Sequence, residues 1–461
     1  MADETLQYDA IVIGSGQGGN PLSQKLAQRG ERVVLIESDQ LGGTCINTGC
    51  TPTKTMIASA QVAHYARNAA RWGVRADNVA VDMPAILKRK DERVEAGRSG
   101  WERSMNGSGE PEVRRGRARF IGPMRVQVSE TVIEAKRIFI DTGTRPVIPA
   151  IEGIETVPYL TNVTLMELTA VPQHLLVLGG GYIGLEFAQM FRRFGSEVTV
   201  IHNGPQILPR EDGEIAAELQ KVLEAEGVKF HLEARTTRVE KSGEEIRLKA
   251  ETDAGALALA GSHLLVAVGR TPQTEDLHLQ EAGVGTHKKG FIVVNDRLET
   301  TAPNIWAIGD VTGGPAFTHI SYNDFQIIYG NVYEGQNMST KTRLVPYAVF
   351  TDPALGRVGM TEKEARASGR KLKIGTMPMS KVQRALERAE TAGLMKLVVD
   401  GETDKILGAA ILSTEGGELV QILSTVMLAD KPYTLLKGAI YIHPTFAEGF
   451  FGLMDSVKAL N

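Results

Sequence analysis

The stretch Tyr8-Asp-Ala-Ile-Val-Ile13, followed by Gly14-Ser-Gly-Gln-Gly-Gly19, decides the fold of this chain. The apolar run predicts a buried strand, and the residues from Gly19 to about Arg29 predict a helix. A second buried strand is expected over Arg32–Ile36, ending at Glu37. A strand, a Gly-x-Gly-x-x-Gly turn, a helix and a second strand together indicate a dinucleotide-binding unit.

The same design returns 165 residues downstream. Leu175–Leu178 predicts a strand, Gly179-Gly-Gly-Tyr-Ile-Gly184 the turn, and the residues to about Phe194 a helix, before a strand over Glu197–Ile201. In such turns the glycines allow a tight bend, a close approach of the backbone to a pyrophosphate and close packing of the helix. Two complete copies therefore predict two dinucleotide sites, against the alternative of glycine turns without ligands.

The two copies differ at the position that contacts the adenosine ribose. Glu37 lies 23 residues after Gly14, and a carboxylate there suits the ribose hydroxyls of FAD. The equivalent residue of the second copy is His202, with Arg210 the nearest downstream cation. Without a carboxylate to repel a 2′-phosphate, the second site is expected to favour NADPH over NADH. The alternative is that His202 is only a surface residue at a strand end.

Outside the two glycine-turn regions, the sequence predicts two chain crossings and a third domain. Thr142-Gly-Thr-Arg-Pro146 and Gly269-Arg-Thr-Pro272 are interpreted as parallel chain crossings, each leaving a strand at a glycine. Farther on, strand-like runs at Met395–Val399 and Ile406–Leu412 precede a helical pattern from Glu415 to Leu428. This last region has no nucleotide fingerprint.

The composition excludes several functional classes. The chain has 461 residues, with 42% hydrophobic and 23% charged, which is ordinary for a globular protein of about three domains. A net charge of −4 provides no field for nucleic acid or anionic membranes. The start lacks the layout of a signal peptide, and no apolar run approaches a membrane span, so we expect a cytoplasmic protein.

The chain has two cysteines, Cys45 and Cys50, which precede a helical pattern containing Met56 and Ala60. They are too few for a disulfide framework or a zinc site. A helix N-terminus lowers a thiol pKa, which favours a redox role. Cα atoms five apart in an ideal helix are roughly 8–9 Å from each other, and a disulfide requires about 4.4–6.8 Å. A bridge therefore needs a distorted first turn, which Gly49 could allow. The alternative is a pair of small buried hydrophobes.

His443-Pro-Thr-Phe-Ala-Glu448 lies near the C-terminus. A histidine with a glutamate five residues on could be a general base and the group that orients it. A core or surface histidine is the alternative.

Taken together, these residues resemble the class I flavoprotein disulfide reductases, which include dihydrolipoamide dehydrogenase, glutathione reductase and mercuric reductase. The resemblance covers essentially the whole chain. It rests on both glycine turns, on Cys45-x4-Cys50 with Pro52 and Lys54, and on four further motifs: Thr142-Gly143, Gly269-Arg270, Ala307-Ile-Gly-Asp310 and His443-Pro-Thr-x-x-Glu448.

The resemblance implies an α/β fold with two Rossmann-like dinucleotide-binding domains and a C-terminal α+β dimerisation domain. The implied boundaries are 1–150 for the first part of the FAD domain, 151–270 for the NAD(P) domain, 271–343 for the second FAD part and 344–461 for the dimerisation domain. The implied cofactors are FAD and NADP, with NAD possible, and no resident metal. The FAD residues would be Gly14, Gly16, Gly19, Glu37, Gly43, Thr44, Lys54, Thr142, Gly143 and Asp310. The NAD(P) residues would be Gly179, Gly181, Tyr182, Gly184, Glu186, His202, Gly269 and Arg270.

The resemblance also implies catalytic roles. Cys50 would be the charge-transfer thiolate beside the flavin, and Cys45 the interchange thiol that attacks the substrate. Lys54 would lie near flavin N5 and pair with Glu186, while Tyr182 would cover the flavin face. His443, oriented by Glu448, would serve the interchange thiol of the other subunit, so a homodimer with shared active sites is expected.

The implied activity is reduction of a small disulfide or other oxidised acceptor, within cellular redox homeostasis. Mercuric reductase is an alternative because Thr48, Thr51 and Thr53 around the cysteines look closest to mercuric-reductase-like members. Against it, the end Ser456–Asn461 lacks a cysteine, and soft Hg(II) favours several thiolates. Dihydrolipoamide dehydrogenase is a second alternative, which His202 disfavours. A flavoprotein that only binds a partner is a third.

Overall fold

The structure of the chain is a computed structural model that describes residues 5–107 and 109–460. The chain divides into two compact units, each assembled from separate stretches. The first unit is Met1–Thr55, Ala85–Val147 and Gly269–Arg343, and the second is Met56–Pro84, Ile148–Val268 and Leu344–Asn461. Residues 1–4, 108 and 461, which the predicted domains include, lie outside the described residues.

The elements before residue 269 include both predicted glycine-turn regions. The strands are β1 Leu6–Ile13, β2 Val33–Glu37, β3 Glu112–Arg115, β4 Ala118–Gly122, β5 Arg125–Val128, β6 Thr131–Ile140, β7 Thr144–Pro146, β8 Tyr159–Leu160, β9 His174–Leu178, β10 Glu197–Ile201, β11 Val228–His231, β12 Arg235–Ser242, β13 Glu245–Thr252, β14 Gly255–Gly261 and β15 His263–Val266. The helices are α1 Gly19–Gln28, α2 Gly43–Asn47, α3 Cys50–Arg67, α4 Met83–Ser104, α5 Tyr182–Phe194 and α6 Gly213–Ala225.

The remaining elements follow from residue 270 onward. The strands are β16 Arg270–Pro272, β17 Ile305–Ala307, β18 Tyr347–Val349, β19 Ala354–Gly359, β20 Leu372–Pro378, β21 Leu394–Asp400, β22 Ile406–Ser413 and β23 Lys458–Ala459. The helices are α7 Thr318–Tyr333, α8 Glu362–Ala367, α9 Gln383–Glu387, α10 Gly416–Leu428, α11 Thr434–Lys437 and α12 Gly449–Asp455.

The first unit is organised by a parallel sheet in which β1 is central. β1 pairs in parallel with β2 and β6, β6 pairs in parallel with β17, and β5 and β4 extend the sheet antiparallel. The last four residues of β1 are all buried, because helices cover both faces of such sheets and select continuous apolar runs. Ile13 pairs with Ile36 and Ile140, and Ala307 also pairs with Ile140. The loops after these four strands therefore meet at one edge.

The second unit contains a parallel sheet of the same kind, in the order β11-β10-β9-β15-β8. Leu178 of β9 pairs with Ile201 of β10 and Val266 of β15, so the loops that follow them also meet at one edge. The strands β12, β13 and β14 form a separate antiparallel sheet.

The C-terminal part of the second unit is an antiparallel sheet, ordered β18-β19-β22-β21-β20-β23, whose core includes α10 and α12. One buried cation, Lys396 on β21, lies 3.3 Å from Asp212 and 2.7 Å from Glu362 and also contacts Glu214. Burial opposes its charge, but these carboxylates raise the pKa of Lys396 overall. Removing one partner of such a buried set costs about 3–5 kcal/mol.

The predicted α/β class with two dinucleotide-type sheets and a C-terminal α+β region is confirmed. The predicted first strand, Tyr8–Ile13, begins earlier, at Leu6, while the strand at Glu197–Ile201 matches at both ends. One prediction needs correction. The segments Thr142–Pro146 and Gly269–Pro272, interpreted as parallel chain crossings, contain the strands β7 and β16. These strands pair antiparallel, because the two segments run past each other in opposite directions.

Candidate active site

The first glycine turn is fixed by the backbone that approaches it. Gly14 has φ of +101°, and a Cβ there would lie 2.2 Å from the carbonyl oxygen of Asp141. A Cβ on Gly19 would lie 2.3 Å from the carbonyl oxygen of Gly14. Both positions therefore require glycine. Helix α1 begins here without a side-chain cap from Gly18, and the amide of Gly19 donates to the carboxyl of Asp141. The partial positive charge of this helix N-terminus attracts an anion.

Glu37, at the end of β2, is buried beside this turn. One of its carboxylate oxygens accepts hydrogen bonds from the backbone N–H of Ser15 at 2.9 Å and from its hydroxyl at 2.6 Å. The other oxygen accepts from the backbone N–H of Asp39 at 2.9 Å. These three hydrogen bonds hold Glu37 in place. Because each carboxylate oxygen has two lone pairs, Glu37 can still accept one further hydrogen bond.

Asp310 lies on a 3₁₀ turn after β17, at the same sheet edge. The hydroxyl of Thr144 donates to it at 3.0 Å, and Nε of Arg270 is 4.0 Å away. Burial raises the pKa of Asp310, while Arg270 and Thr144 oppose this shift. Arg270 also donates to the hydroxyl and carbonyl oxygens of Thr144, each at 2.7 Å. Arg270 thus lies beside Asp310, and its predicted role at the NAD(P) site stays a prediction.

The redox segment is broken into two helices between the cysteines. Helix α2 carries Cys45 and ends at Asn47, the next residue Thr48 has a non-helical φ of −143°, and α3 starts at Cys50. The distortion that a bridge requires is therefore present. A Cβ on Gly49 would lie 2.8 Å from the carbonyl oxygen of Thr44, so glycine permits this close return. The segment packs on the first glycine turn, because a Cβ on Gly43 would lie 2.9 Å from Cα of Gly16.

The two thiols differ in their surroundings. Cys45 is half-buried and Cys50 is exposed, with its sulfur 3.2 Å from the hydroxyl of Thr318. The hydrogen bond with Cys50, burial and the charge of Cys50 together raise the pKa of Cys45, whereas Lys54 opposes the shift. A negative charge on Cys45 is therefore disfavoured next to Cys50.

The second glycine turn repeats the backbone of the first. Gly179 has φ of +112°, and a Cβ there would lie 2.3 Å from the carbonyl oxygen of Ala267. A Cβ on Gly184 would lie 2.2 Å from the carbonyl oxygen of Gly179. Gly181 precedes α5, which starts at Tyr182 and has no side-chain cap. This helix N-terminus is a second anion site by the same reasoning.

His202 follows β10 and packs against the second turn. Its ring would lie 3.0 Å from a Cβ on Gly180, and its Nε2 would lie 2.8 Å from a Cβ on Gly204. Nε2 is buried and has no hydrogen-bond partner among the described residues. Burial lowers the pKa of His202, so the ring is neutral at pH 7. A surface histidine surrounded by solvent would not have a buried Nε2 or such close contacts with Gly180 and Gly204.

The remaining predicted residues lie in both units. Lys54 belongs to α3 in the first unit, and Glu186 belongs to α5 in the second, so their pairing stays a prediction. Glu186 is buried, accepts from the backbone N–H of Phe350 at 2.9 Å and borders a cavity of about 150 Å³. Gly143, with φ of +67°, and Gly269, with φ of +140°, precede the paired strands β7 and β16.

His443 and Glu448 contact each other as predicted from their spacing. Nδ1 of His443 is 3.0 Å from one carboxylate oxygen of Glu448 and 3.1 Å from the other. The backbone N–H of Thr445 also donates to Glu448, at 3.0 Å. The hydrogen bond from His443 is the main cause that lowers the pKa of Glu448. The side chain of His443 is 68% exposed, so its other ring nitrogen is available to a partner.

Sequence reasoning missed two residues of this site. Asp141 places a buried carboxyl under the first glycine turn, and Thr318 contacts Cys50 from the start of α7. Asp141 had a signal, because an acid stands directly after the apolar run Ile138–Ile140 and directly before Thr142-Gly143. Thr318 had none, since it lies 268 residues from Cys50 in the sequence.

Comparison with known proteins identifies the group to which this site belongs. The model of the pyridine nucleotide-disulphide oxidoreductase family matches residues 8–324, and the dimerisation domain of that family matches residues 345–452. The chain belongs to this family.

Relatives of the family extend over nearly the whole chain. Probable pyridine nucleotide-disulfide oxidoreductase RclA of Escherichia coli (strain K12) is 39% identical, covering 98% of this chain and 100% of RclA. The solved structure of RclA, described as an HOCl-induced flavoprotein disulfide reductase, matches with a TM-score of 0.90 at 38% identity, over 98% of this chain and 100% of that chain. Dihydrolipoyl dehydrogenase of Thermus scotoductus is 36% identical, covering 98% and 97% of the two chains. A mercuric reductase of Lysinibacillus sphaericus is 34% identical, covering 96% and 81%.

The predicted family and enzyme class are confirmed: the chain is a pyridine nucleotide-disulfide oxidoreductase, and its family implies FAD and a pyridine nucleotide. The residues present fit both groups. At the first turn, the buried hydroxyl oxygens of Thr142 and Ser321 have no hydrogen-bond partner among the described residues, and at the second the same holds for Nε2 of His202. Buried polar atoms normally have partners, so these atoms suit ligands with polar groups.

Two structural findings concern location and metals. None of the helices within residues 5–107 and 109–460 is long and apolar enough to cross a membrane. Within the same residues, no group of three or more His, Cys, Asp or Glu side chains is arranged to hold a metal ion.

Proposed function

We propose that this member of the family is a cytoplasmic homodimer that takes electrons from NADPH, and less readily from NADH. It passes them through FAD and the Cys45–Cys50 pair to a small disulfide or similar oxidised acceptor. The hydrogen-bonded thiol pair in a helix break, packed on the first glycine turn, supports this proposal most directly. Structural cysteines would have no reason to interrupt a helix between them.

When bound beside the pair, FAD supplies the transfer of an electron pair from the reduced nucleotide to the Cys45–Cys50 disulfide. Cys45 then attacks one sulfur of the acceptor, so a mixed disulfide forms and the first thiolate leaves. Cys50 attacks the sulfur of Cys45, which restores the internal disulfide and releases the second thiolate. The acceptor gains two electrons and two protons in total.

Proton transfer at Cys45 needs a base and an acid. Because the pKa of Cys45 is raised, it is a thiol before attack, and its proton must be removed as the new sulfur–sulfur bond forms. His443 suits this role, since Glu448 holds its Nδ1 and leaves the other ring nitrogen to take and return the proton. Lys54 opposes the pKa shift of Cys45 and would stabilise the negative charge that develops there.

The surface beside His443 supports the shared active site. Ile440 is 99% exposed and Ile442 is 79% exposed, and both lie in the segment that matches the dimerisation domain. Large apolar side chains this exposed suit a covering partner. A two-fold dimer would meet at the same patch on both subunits, and His443 of one subunit would serve Cys45 of the other.

Steady-state assays with a panel of acceptors test the function. NADPH oxidation by the holoenzyme should be fastest with a small disulfide other than lipoamide, or with a similar electrophile, and slower with lipoamide, quinones or Hg(II). The variant C45S should lose turnover with every thiol-dependent acceptor. A purified protein that binds FAD but oxidises no NAD(P)H with any acceptor would support the alternative of a non-catalytic binding subunit.

Subunit mixing tests the shared site. The homodimers of C45S and H443A should each be nearly inactive. Their mixed dimer contains one site with both defects and one site with neither, so about half of the wild-type activity should return. Mixed dimers that form without regaining activity would show that His443 acts within its own chain or not at all.

A metal ion that binds thiolates is a second candidate acceptor. One solved structure, 38% identical to this chain, is a Cu(II) complex of RclA, and a mercuric reductase is 34% identical. Thiolates bind soft ions well, and this chain has two cysteines in all. We rank Cu(II) as an acceptor to test and Hg(II) below it, because no second thiol pair can pass the mercury ion inward.

A further inference from the structure

Asp141, the residue after β6, places its carboxyl directly under the first glycine turn. It is buried, and one carboxylate oxygen accepts from the backbone N–H of Gly19 at 2.7 Å. A Cβ on Gly16 would lie 2.6 Å from the same oxygen. The N–H of Gly18 is a second donor. Asp141 therefore uses amides of the helix N-terminus that the glycine-turn motif would offer to the pyrophosphate of FAD.

The fold does not require an acid at this position, because the second glycine turn uses Ala267 there. The backbone N–H of Asp141 donates to Ile13 at 2.7 Å, and that of Ala267 donates to Leu178 at 2.8 Å. Their carbonyl oxygens approach Gly14 and Gly179 almost equally closely, at 2.2 and 2.3 Å from a built Cβ. The carboxyl of Asp141 thus needs an explanation other than the turn itself.

The charges around Asp141 are of its own sign. Asp310 faces it from the turn after β17 and Asp324 faces it from α7, while α1 contributes only backbone amides. Arg270 lies 4.0 Å from Asp310, and Arg343 contacts Asp324. Within residues 5–107 and 109–460, Asp141 itself forms no ion pair. Burial is the main cause that raises the pKa of Asp141, and the two neighbouring aspartates add to it.

We propose that Asp141 holds a proton in the FAD-loaded enzyme at neutral pH, and that losing this proton weakens the binding of FAD. An ionised Asp141 would repel the pyrophosphate and hold the amides by strong charge-assisted hydrogen bonds, whereas the protonated form carries no charge and holds the same amides more weakly. Bound FAD therefore raises the pKa of Asp141. By linkage, FAD affinity is full below the pKa of the FAD-free protein and falls as pH rises through it.

The dissociation constant of FAD, measured from flavin fluorescence between about pH 6 and about pH 10, tests the proposal. For the wild type it should increase with pH, by up to about tenfold per pH unit. The isosteric variant D141N cannot ionise, so its dissociation constant should stay low and independent of pH. The matched control D276N removes an exposed carboxylate of the same unit and should keep the wild-type profile.

A second measurement needs no variant. Adding FAD to the wild-type apoprotein in weak alkaline buffer with an indicator dye should take up as much as one proton per FAD bound. FAD binding without proton uptake and without pH dependence would overturn this inference alone. The inference rests on the proposed function, and a protein that binds no FAD at any pH would contradict both.

Discussion

The two glycine turns have the same backbone and different side chains around it. In both, the first glycine has positive φ, a neighbouring strand presents a carbonyl oxygen to it, and the third glycine packs on the first. The first turn is bordered by the acids Glu37 and Asp141, and the second by His202 and Ala267. The glycines therefore suit a dinucleotide, and the residues from neighbouring strands are the ones we expect to distinguish one dinucleotide from another.

The largest expected effect concerns the redox segment of Cys45 and Cys50, which packs on the first turn. C45S and C50S should each lower disulfide reduction by about a thousandfold or more, because groups acting as a unit fail together. Both should retain FAD, and rapid mixing should show that NADPH still reduces it. C50S should also lose the long-wavelength charge-transfer absorbance of the reduced enzyme. Persistence of that absorbance in C50S would contradict the assignment of Cys50.

The third glycines provide a direct way to break the comparison. G19A and G184A introduce equivalent clashes, at 2.3 and 2.2 Å from the carbonyl oxygens of Gly14 and Gly179. G19A should yield protein without FAD and with little activity. G184A should keep FAD, measured by its absorbance, and raise KM for NADPH by roughly tenfold to a hundredfold, about 1.4–2.8 kcal/mol. Loss of FAD from G184A as well would mean that the two turns are not independent.

Much of this arrangement was predictable because its signals are local in sequence. Both turns, their flanking strands and the contact of His443 with Glu448 follow from short-range spacing. The contacts that were missed join distant residues. Asp141 lies 122 residues from Gly19, and its place depends on β6 pairing with β1. The antiparallel pairing of β7 with β16 has the same origin, since no local pattern encodes which segment a short strand meets.

The next effect is on nucleotide choice. The wild type should use NADPH at least as well as NADH, because His202 brings no negative charge to the second turn. H202E should shift the ratio of kcat/KM toward NADH by about tenfold or more, roughly 1.4 kcal/mol. H202Q, which keeps a polar side chain without charge, is the matched control. A wild-type preference for NADH of more than about tenfold would contradict the assignment.

The same residue predicts a dependence on pH. Burial lowers the pKa of His202, so the ring is neutral above that pKa and gains a positive charge as pH falls through it. The charged form attracts a 2′-phosphate, so the preference for NADPH over NADH should increase toward acidic pH. The ratio of kcat/KM values at several pH values checks this, and H202Q should flatten it. An equal slope in H202Q would assign the effect to another group.

The smallest expected effect comes from giving the second turn the acid of the first. A267D places a carboxyl where Asp141 lies in the first turn, but Ala267 is only half-buried, so solvent screens the new charge. KM for NADPH should rise about threefold, roughly 0.7 kcal/mol, with FAD content unchanged. The increase should grow with pH as the carboxyl ionises and shrink at high salt. A267N has nearly the same shape without the charge, and an equal KM in the two variants would show that shape, and not charge, separates the turns.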